Sequence, residues 1–251
     1  PLIQKIALLF IIILLLYLLP KHLPRLSRPL GKKFKAGWDV LKSIGKPGGP
    51  LAEIEKLVGR RVREKLLSKT PEIEKTKAAE TVQRIGRRLA ACARRSYIPF
   101  RFIVVDDPHP NASAIPGGSI LITQALLDIC PSEDEIAGVL AHEVAHIDSS
   151  HYLKRLGASM VIRRLVSINN ALLSKAIKLA EELIDRGYSQ ENEFEADREG
   201  ARLAKRAGFD PRGLRQALEI LEDNCQGEPY SFFDTHPPTP ERISELRKRF
   251  G

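Results

Sequence analysis

Five residues in the middle of the chain, His142-Glu143-Val144-Ala145-His146, have the types and spacing to hold a divalent metal ion. Helical residues four apart lie about 40° apart around the axis, so both imidazoles leave one face and can reach one ion. Glu143 follows the first histidine, at the edge of that face. From there a carboxylate can reach a water beside the ion without ligating it. The pattern fixes only three positions, so chance is the competing reading. The surrounding helix weighs against chance. Ser132 with Glu135 three residues later fits a capping box, and Glu133, Asp134 and Glu135 suit the positive end of the helix dipole. Ile136, Val139, Leu140, Val144 and Ile147 supply an apolar stripe. A carboxylate buried unpaired among them would cost several kcal/mol.

A catalytic zinc takes three protein ligands and keeps a position for water. The extended metzincin pattern would need Gly at 149 and His at 152, where this chain has Ser149 and Tyr152. His151 falls one position out of register and reads as a polar residue near the helix end. The other source is a carboxylate from a later helix. Residues 188–200 read YSQENEFEADREG. Glu193 and Asp197 are four apart, so one helix face can offer a ligand and an acceptor for a ligand's second ring N–H. By spacing alone, Glu193 and Glu195 are equal candidates for the ligand.

These residues need a scaffold. Residues 51–69 and 71–95 read as helices, with Pro71 at a first helical position. Phe100–Val105 is β-rich and ends in the turn Asp106-Asp107-Pro108. Asn111–Thr123 reads as a hairpin holding Pro116-Gly117-Gly118, with Ser119–Thr123 as its second strand. From Pro131 the pattern is helical nearly to the end. The expected fold is α+β, with a small sheet among many helices.

The chain has 251 residues, 43% hydrophobic and 28% charged, which excludes a wholly disordered chain. Three cysteines (Cys92, Cys130, Cys225) are too few and scattered for a disulfide scaffold. The net charge of +9 suggests nucleic acid until it is located. Residues 21–65 hold 13 Lys and Arg against 4 Asp and Glu, whereas 66–251 hold 26 against 27. The basic block adjoins residues 6–19, IALLFIIILLLYLL, which are apolar without a break. That arrangement reads as a membrane-surface contact rather than a DNA face. The predicted organisation is a transmembrane anchor or signal segment over 1–20, a basic Pro/Gly-rich juxtamembrane linker over 21–50, and a metallopeptidase domain over 51–251. No A-x-A-like cleavage site follows the apolar run, which favours an uncleaved anchor.

Four ordered blocks resemble one family. His142–His146 is followed, 47 residues after the second histidine, by Glu193-Phe194-Glu195-Ala196-Asp197. Asn111-Ala112-Ser113-Ala114 with Pro116-Gly117-Gly118 precedes them, and Thr235-His236-Pro237-Pro238 with Arg242-Ile243 follows. Together they resemble the gluzincin metallopeptidases that include HtpX, the Ste-type CAAX endoproteases, BepA and the Oma-type proteases. Tyr188-Ser189 and Arg198-Glu199-Gly200 look most like the BepA/Oma branch. The resemblance covers about residues 70–250. It implies a mostly helical, zincin-like domain and one Zn2+ per chain, held by His142, His146 and Glu193. It also implies Asp197 as the group orienting a ligand, and Glu143 as the base. It brings His236 to the active site, as an oxyanion donor or as a latch on the metal. It assigns Asn111, Ala112, Ser113, Ala114, Gly117 and Gly118 to a strand and turn lining the substrate cleft.

The expected function is a membrane-associated zinc endopeptidase acting on misfolded or membrane-proximal proteins. The alternative is a zinc-stabilised chaperone or assembly factor that binds protein segments and seldom cuts. Nucleic acid is not an expected partner, since the globular part is neutral. The positive charge after the apolar run points the domain to the cytosol, while the BepA/Oma resemblance points to the periplasm or intermembrane space. The resemblance tips the expectation to an extracytoplasmic domain.

Overall fold

The computed structural model describes residues 50–162, 170–224, 232–236 and 240–251. Two helices, α1 (Pro50–Leu67) and α2 (Lys77–Cys92), precede β1 (Arg101–Val105), β2 (Ala112–Ile115) and β3 (Ser119–Thr123). Helices α3 (Gln124–Ile129), α4 (Glu133–Asp148), α5 (His151–Ile162), α6 (Asn170–Arg186) and α7 (Gln190–Arg206) follow. The chain then forms α8 (Gly213–Asn224), the short α9 (Phe232–Thr235) and α10 (Pro240–Phe250). This is the expected α+β class, mostly helical around a small sheet. The expected N-terminal hydrophobic segment and basic linker lie outside the described residues, apart from Pro50. Among the described residues no helix is long and apolar enough to cross a membrane.

The sheet order is β1-β3-β2. β1 runs parallel to β3, and β2 pairs antiparallel with it, Ala112 opposite Ile122 and Ile115 opposite Ser119. Successive strand residues face opposite sides. Phe102, Val104, Ile120 and Ile122 join one core with Val82, Ile85, Leu89, Leu140, Val144 and Leu214. Ile103, Val105 and Leu121 join a second core with Val58, Val62, Leu153, Leu156 and Leu183. The sheet is therefore covered on both faces, which explains why β3 is apolar at three consecutive positions rather than alternating.

The second helix starts later than Pro71. Residues 71–73 run beside β1 instead: Ile73 N–H donates to Val104 O at 2.8 Å, and Asp106 N–H to Pro71 O at 3.0 Å. Thr76 caps α2, its hydroxyl accepting from Ala79 N–H at 3.1 Å. Edge pairing has displaced the first turns that the helical stripe allowed. Ser132 caps α4 as expected, but its hydroxyl accepts from Asp134 N–H at 3.2 Å and also bonds the Glu135 side chain.

Packing of α4 against α7 positions the chemistry. Small residues line the contact: Ala141, Ala145, Ala196 and Ala201 are buried. At Gly200, a Cβ would lie 2.9 Å from His142 N and 3.0 Å from His142 Cα. Glycine there lets the two backbones meet at the level of the first histidine.

Candidate metal centre

The α4 face predicted from sequence points into the protein. His142, Glu143 and His146 are all buried. α7 brings Glu193 and Asp197 against them, also buried, and the end of α9 brings His236. One ligand atom from each of His142, His146, Glu193 and His236 lies within 4.8 Å of all the others. The two histidine Nε2 atoms are 3.1 Å apart. His236 Nδ1 is 3.2 Å from His142 Nε2 and 3.0 Å from Glu193 Oε2. Glu193 Oε2 is 3.4 Å from His142 Nε2, and Glu193 Oε1 is 3.4 Å from His146 Nε2.

This donor set fits a metal ion. Ligand atoms about 2.0–2.1 Å from a tetrahedral zinc stand about 3.3–3.4 Å from one another, close to the spacings above. Imidazole nitrogens and a carboxylate aimed at one point, away from water, are a costly arrangement without a cation among them. Among the described residues, Glu193 Oε1 has no hydrogen-bond partner, nor does either Glu143 oxygen. Glu143 Oε1 lies 3.4 Å from His236 Nε2. Its carboxylate therefore stands beside the cluster.

The electrostatics follow from burial and neighbours. Burial opposes a charge on His142, but Asp197 and Glu193 outweigh it and raise its pKa to about 9. Burial pushes His146 well down. Burial also opposes ionisation of Glu193, yet the surrounding imidazoles, His236 foremost, hold it well below the usual carboxylate range. The same ring nitrogens and carboxylate bind protons and metal, so the two compete for them.

Support comes from behind the histidines. Asp197 Oδ1 lies 3.0 Å from His142 Nδ1. Arg242 on α10 grips Asp197 with two charge-assisted bonds, Nε to Oδ2 at 2.8 Å and Nη2 to Oδ1 at 2.7 Å. Burial works against the Asp197 carboxylate, but Arg242 keeps its pKa low. Arg242 also donates to the His236 carbonyl at 3.1 Å and lies 3.3 Å from Glu193 Oε2. Phe232 stacks under the His236 ring, with centroids 4.4 Å apart, and its N–H donates to Pro110 O at 2.8 Å. Gly187 (φ 72°) meets the Thr235 carbonyl where any Cβ would collide, so a bare backbone seats this segment. Pro237 and Pro238 lie outside the described residues.

The sequence pattern gives Arg242 no role of its own and makes His151 a polar residue near the helix end. His151 is fully buried, with Nδ1 2.9 Å from His146 Nδ1 and Nε2 3.4 Å from Glu195 Oε2. Glu195, the rival ligand by spacing, faces His151 and Lys154 rather than the four-residue cluster. Tyr188 stacks on the His146 ring, with centroids 4.3 Å apart and planes at 21°. The pairing of Tyr188 with the centre was visible only as a motif neighbour.

The proposed substrate segment is split. Ala112, Ser113 and Ala114 lie on β2, the outer strand beside β3, and β2 packs near α4. Asn111 begins it, its N–H donating to Thr123 Oγ1 at 2.9 Å. Gly117 (φ 82°) and Gly118 (φ 109°) make the turn, and their near neighbours are Glu55–Lys56 and Ile98–Pro99. Those two glycines sit against α1 and the approach to β1.

Two histidines one helical turn apart, with a glutamate from a second helix and a carboxylate beside them, are the donor types and spacing that a metallopeptidase centre uses. The chain belongs to peptidase family M48, whose family model matches residues 76–250. It is 30% identical over 173 residues to the mitochondrial metalloendopeptidase OMA1 of Schizosaccharomyces pombe, covering 66% of this chain and 51% of that one. It is 29% identical over 230 residues to the beta-barrel assembly-enhancing protease of Yersinia pestis, covering 84% and 47%. It is 31% identical over 186 residues to the metalloprotease YcaL of Escherichia coli K12, covering 69% and 73%. The chain spans about half the length of the first two relatives.

Proposed function

We propose that this protein is a zinc-dependent endopeptidase whose metal is held by His142, His146 and Glu193. The observation that carries the reading is the convergence of these three donors with Glu143 standing unbonded at their edge. When bound, zinc supplies a Lewis acid that polarises the peptide carbonyl and acidifies water. Glu143 takes the proton of the attacking water as its oxygen bonds to the carbonyl carbon. It then passes that proton to the amide nitrogen as the C–N bond breaks. Asp197 keeps the His142 ring turned towards the metal, and Arg242 keeps Asp197 ionised.

His236 is read as a latch. Its Nδ1 stands at ligand spacing from His142 and Glu193, where it would compete with a substrate carbonyl for a bound metal. Substrate entry then requires the α9 segment to withdraw. Ala112, Ser113 and Ala114 on the outer strand offer main-chain groups to an extended peptide, with Asn111 at its start. The apolar run at 6–19 and the basic block after it support anchoring of the domain at a membrane. Substrates are then misfolded or membrane-proximal proteins, and the domain is extracytoplasmic.

The test is casein cleavage by the 251-residue chain in detergent with added zinc, wild type against Glu143→Gln. Cleavage by the wild type that is lost in the variant and with a chelator supports the reading. A chain that binds one zinc and never cuts, even as His236→Ala, is a binding protein instead. A rise in cleavage of several-fold or more in His236→Ala supports the latch.

A further inference from the structure

His151 is a fully buried histidine that the proposed chemistry does not use. We propose that it is a positioning residue, fixing the ring orientation and tautomer of His146 with Glu195 behind it. The inference rests on the reading of His146 as a metal ligand.

The proton placement follows from the contacts. His151 Nε2 faces a Glu195 oxygen at 3.4 Å, an electrostatic contact without a hydrogen bond. The carboxylate's negative charge favours the hydrogen on the ring nitrogen facing it, which places it on His151 Nε2. His151 Nδ1 is then a lone-pair acceptor. The hydrogen in its 2.9 Å contact with His146 Nδ1 therefore belongs to His146. That leaves the lone pair of His146 Nε2 directed at Glu193, His142 and His236, the state a metal needs. Tyr188 fixes the remaining freedom by stacking on the ring face.

The backbone is built for this contact. α4 ends at Asp148, and Ser150 adopts a left-handed φ of 56°. α5 then starts at His151, which returns towards His146. Glu195 is held by Lys154 at 3.5 Å, on the same helix as His151. Two helices and a turn thus converge on one ring nitrogen.

The test measures zinc affinity of the full chain by competition with a chromophoric chelator, together with the visible spectrum of the Co2+ form. His151→Leu keeps bulk and removes the acceptor, whereas His151→Asn places a carbonyl oxygen near the lost nitrogen. The expected result is zinc binding about 10–100-fold weaker in His151→Leu, largely recovered in His151→Asn. The Co2+ spectrum should shift and recover in parallel. Purely structural packing would lower the metal-free melting temperature and leave affinity and spectrum unchanged. Affinity within about twofold of wild type in His151→Leu overturns the proposal. If His151→Leu does not fold, the partly exposed Glu195→Gln decides: several-fold weaker zinc supports the proposal, and wild-type affinity overturns it. Wild type and His146→Ala are the controls. Absence of zinc from the wild type defeats the reading of the whole centre, whereas equal binding by wild type and His151→Leu defeats this inference alone.

Discussion

The two α4 histidines are held from behind in different ways. His142 leans on an aspartate that is itself clamped by a buried arginine, an arrangement closed to solvent. His146 leans on an imidazole, whose other nitrogen faces a glutamate that is partly open to water. An ionic acceptor in a dry site holds its donor strongly, and removing either member strands a charge. A neutral acceptor holds more weakly but leaves no stranded charge when lost. One support therefore carries stability as well as orientation, and the other carries orientation mainly.

The largest expected effect comes from breaking the first support. Asp197→Ala takes from the buried Arg242 the carboxylate it bonds twice, leaving Glu193 at 3.3 Å, and should cost about 3–5 kcal/mol of stability. Zinc affinity should fall about 10–100-fold as well. Denaturant unfolding with and without zinc measures both. If Asp197→Ala and His151→Leu lose stability equally, the contrast between the supports is wrong.

A smaller effect tests independence. Asp197→Asn and His151→Leu act on ligands whose Nε2 atoms are 3.1 Å apart, so losses of metal-free stability that still add to within about 0.5 kcal/mol would show two separate supports. Strong coupling in that double-mutant cycle would mean that the two supports act as one unit.

A control sharpens both. Cys130 is buried, and burial, with Glu135 nearby, lifts its pKa from 9.0 to about 12. At pH 8 it should resist iodoacetamide in the wild type and in Glu195→Gln. Labelling in Asp197→Ala would mean that the core had opened. The sign also sets a pH dependence. Between pH 9.0 and about 12 the unfolded chain loses this proton while the native chain keeps it. Native protein then binds more protons, so this group lowers stability as pH rises through that window.

The smallest effect lies at the solvent-facing end. Lys154→Ala removes a 3.5 Å ion pair with Glu195, both partly exposed, and should change stability by less than about 1 kcal/mol. Thermal melting at low and high salt checks it.

Much of the centre was legible because it depends on helical phase. His142 and His146 share a face, as do Glu193 and Asp197, and i, i+4 spacing reports that directly. β3 was also plain, since β-branched and aliphatic residues fill Ser119–Thr123. His151 was not legible for a physical reason. Its register was counted along a continuous helix, but the left-handed Ser150 ends that phase and starts another. Nothing in the residue types Ser149-Ser150 announces such a turn. The start of α2 escaped because residues 71–73 found a partner in β1, and edge pairing is a tertiary event. Arg242 was quoted only as part of a motif. A buried cation is legible only once its anion is known, and Asp197 lies 45 residues away.

The bare Cα of Gly200 against the His142 backbone acts as a gauge block between two helices. It sets how far the rod carrying Glu193 stands from the rod carrying the histidines. Side-chain repacking cannot alter that gap, because backbone meets backbone there. Any side chain at this position would push the helix carrying Glu193 away from the histidines. A library randomised at residue 200 and selected for zinc retention should return glycine.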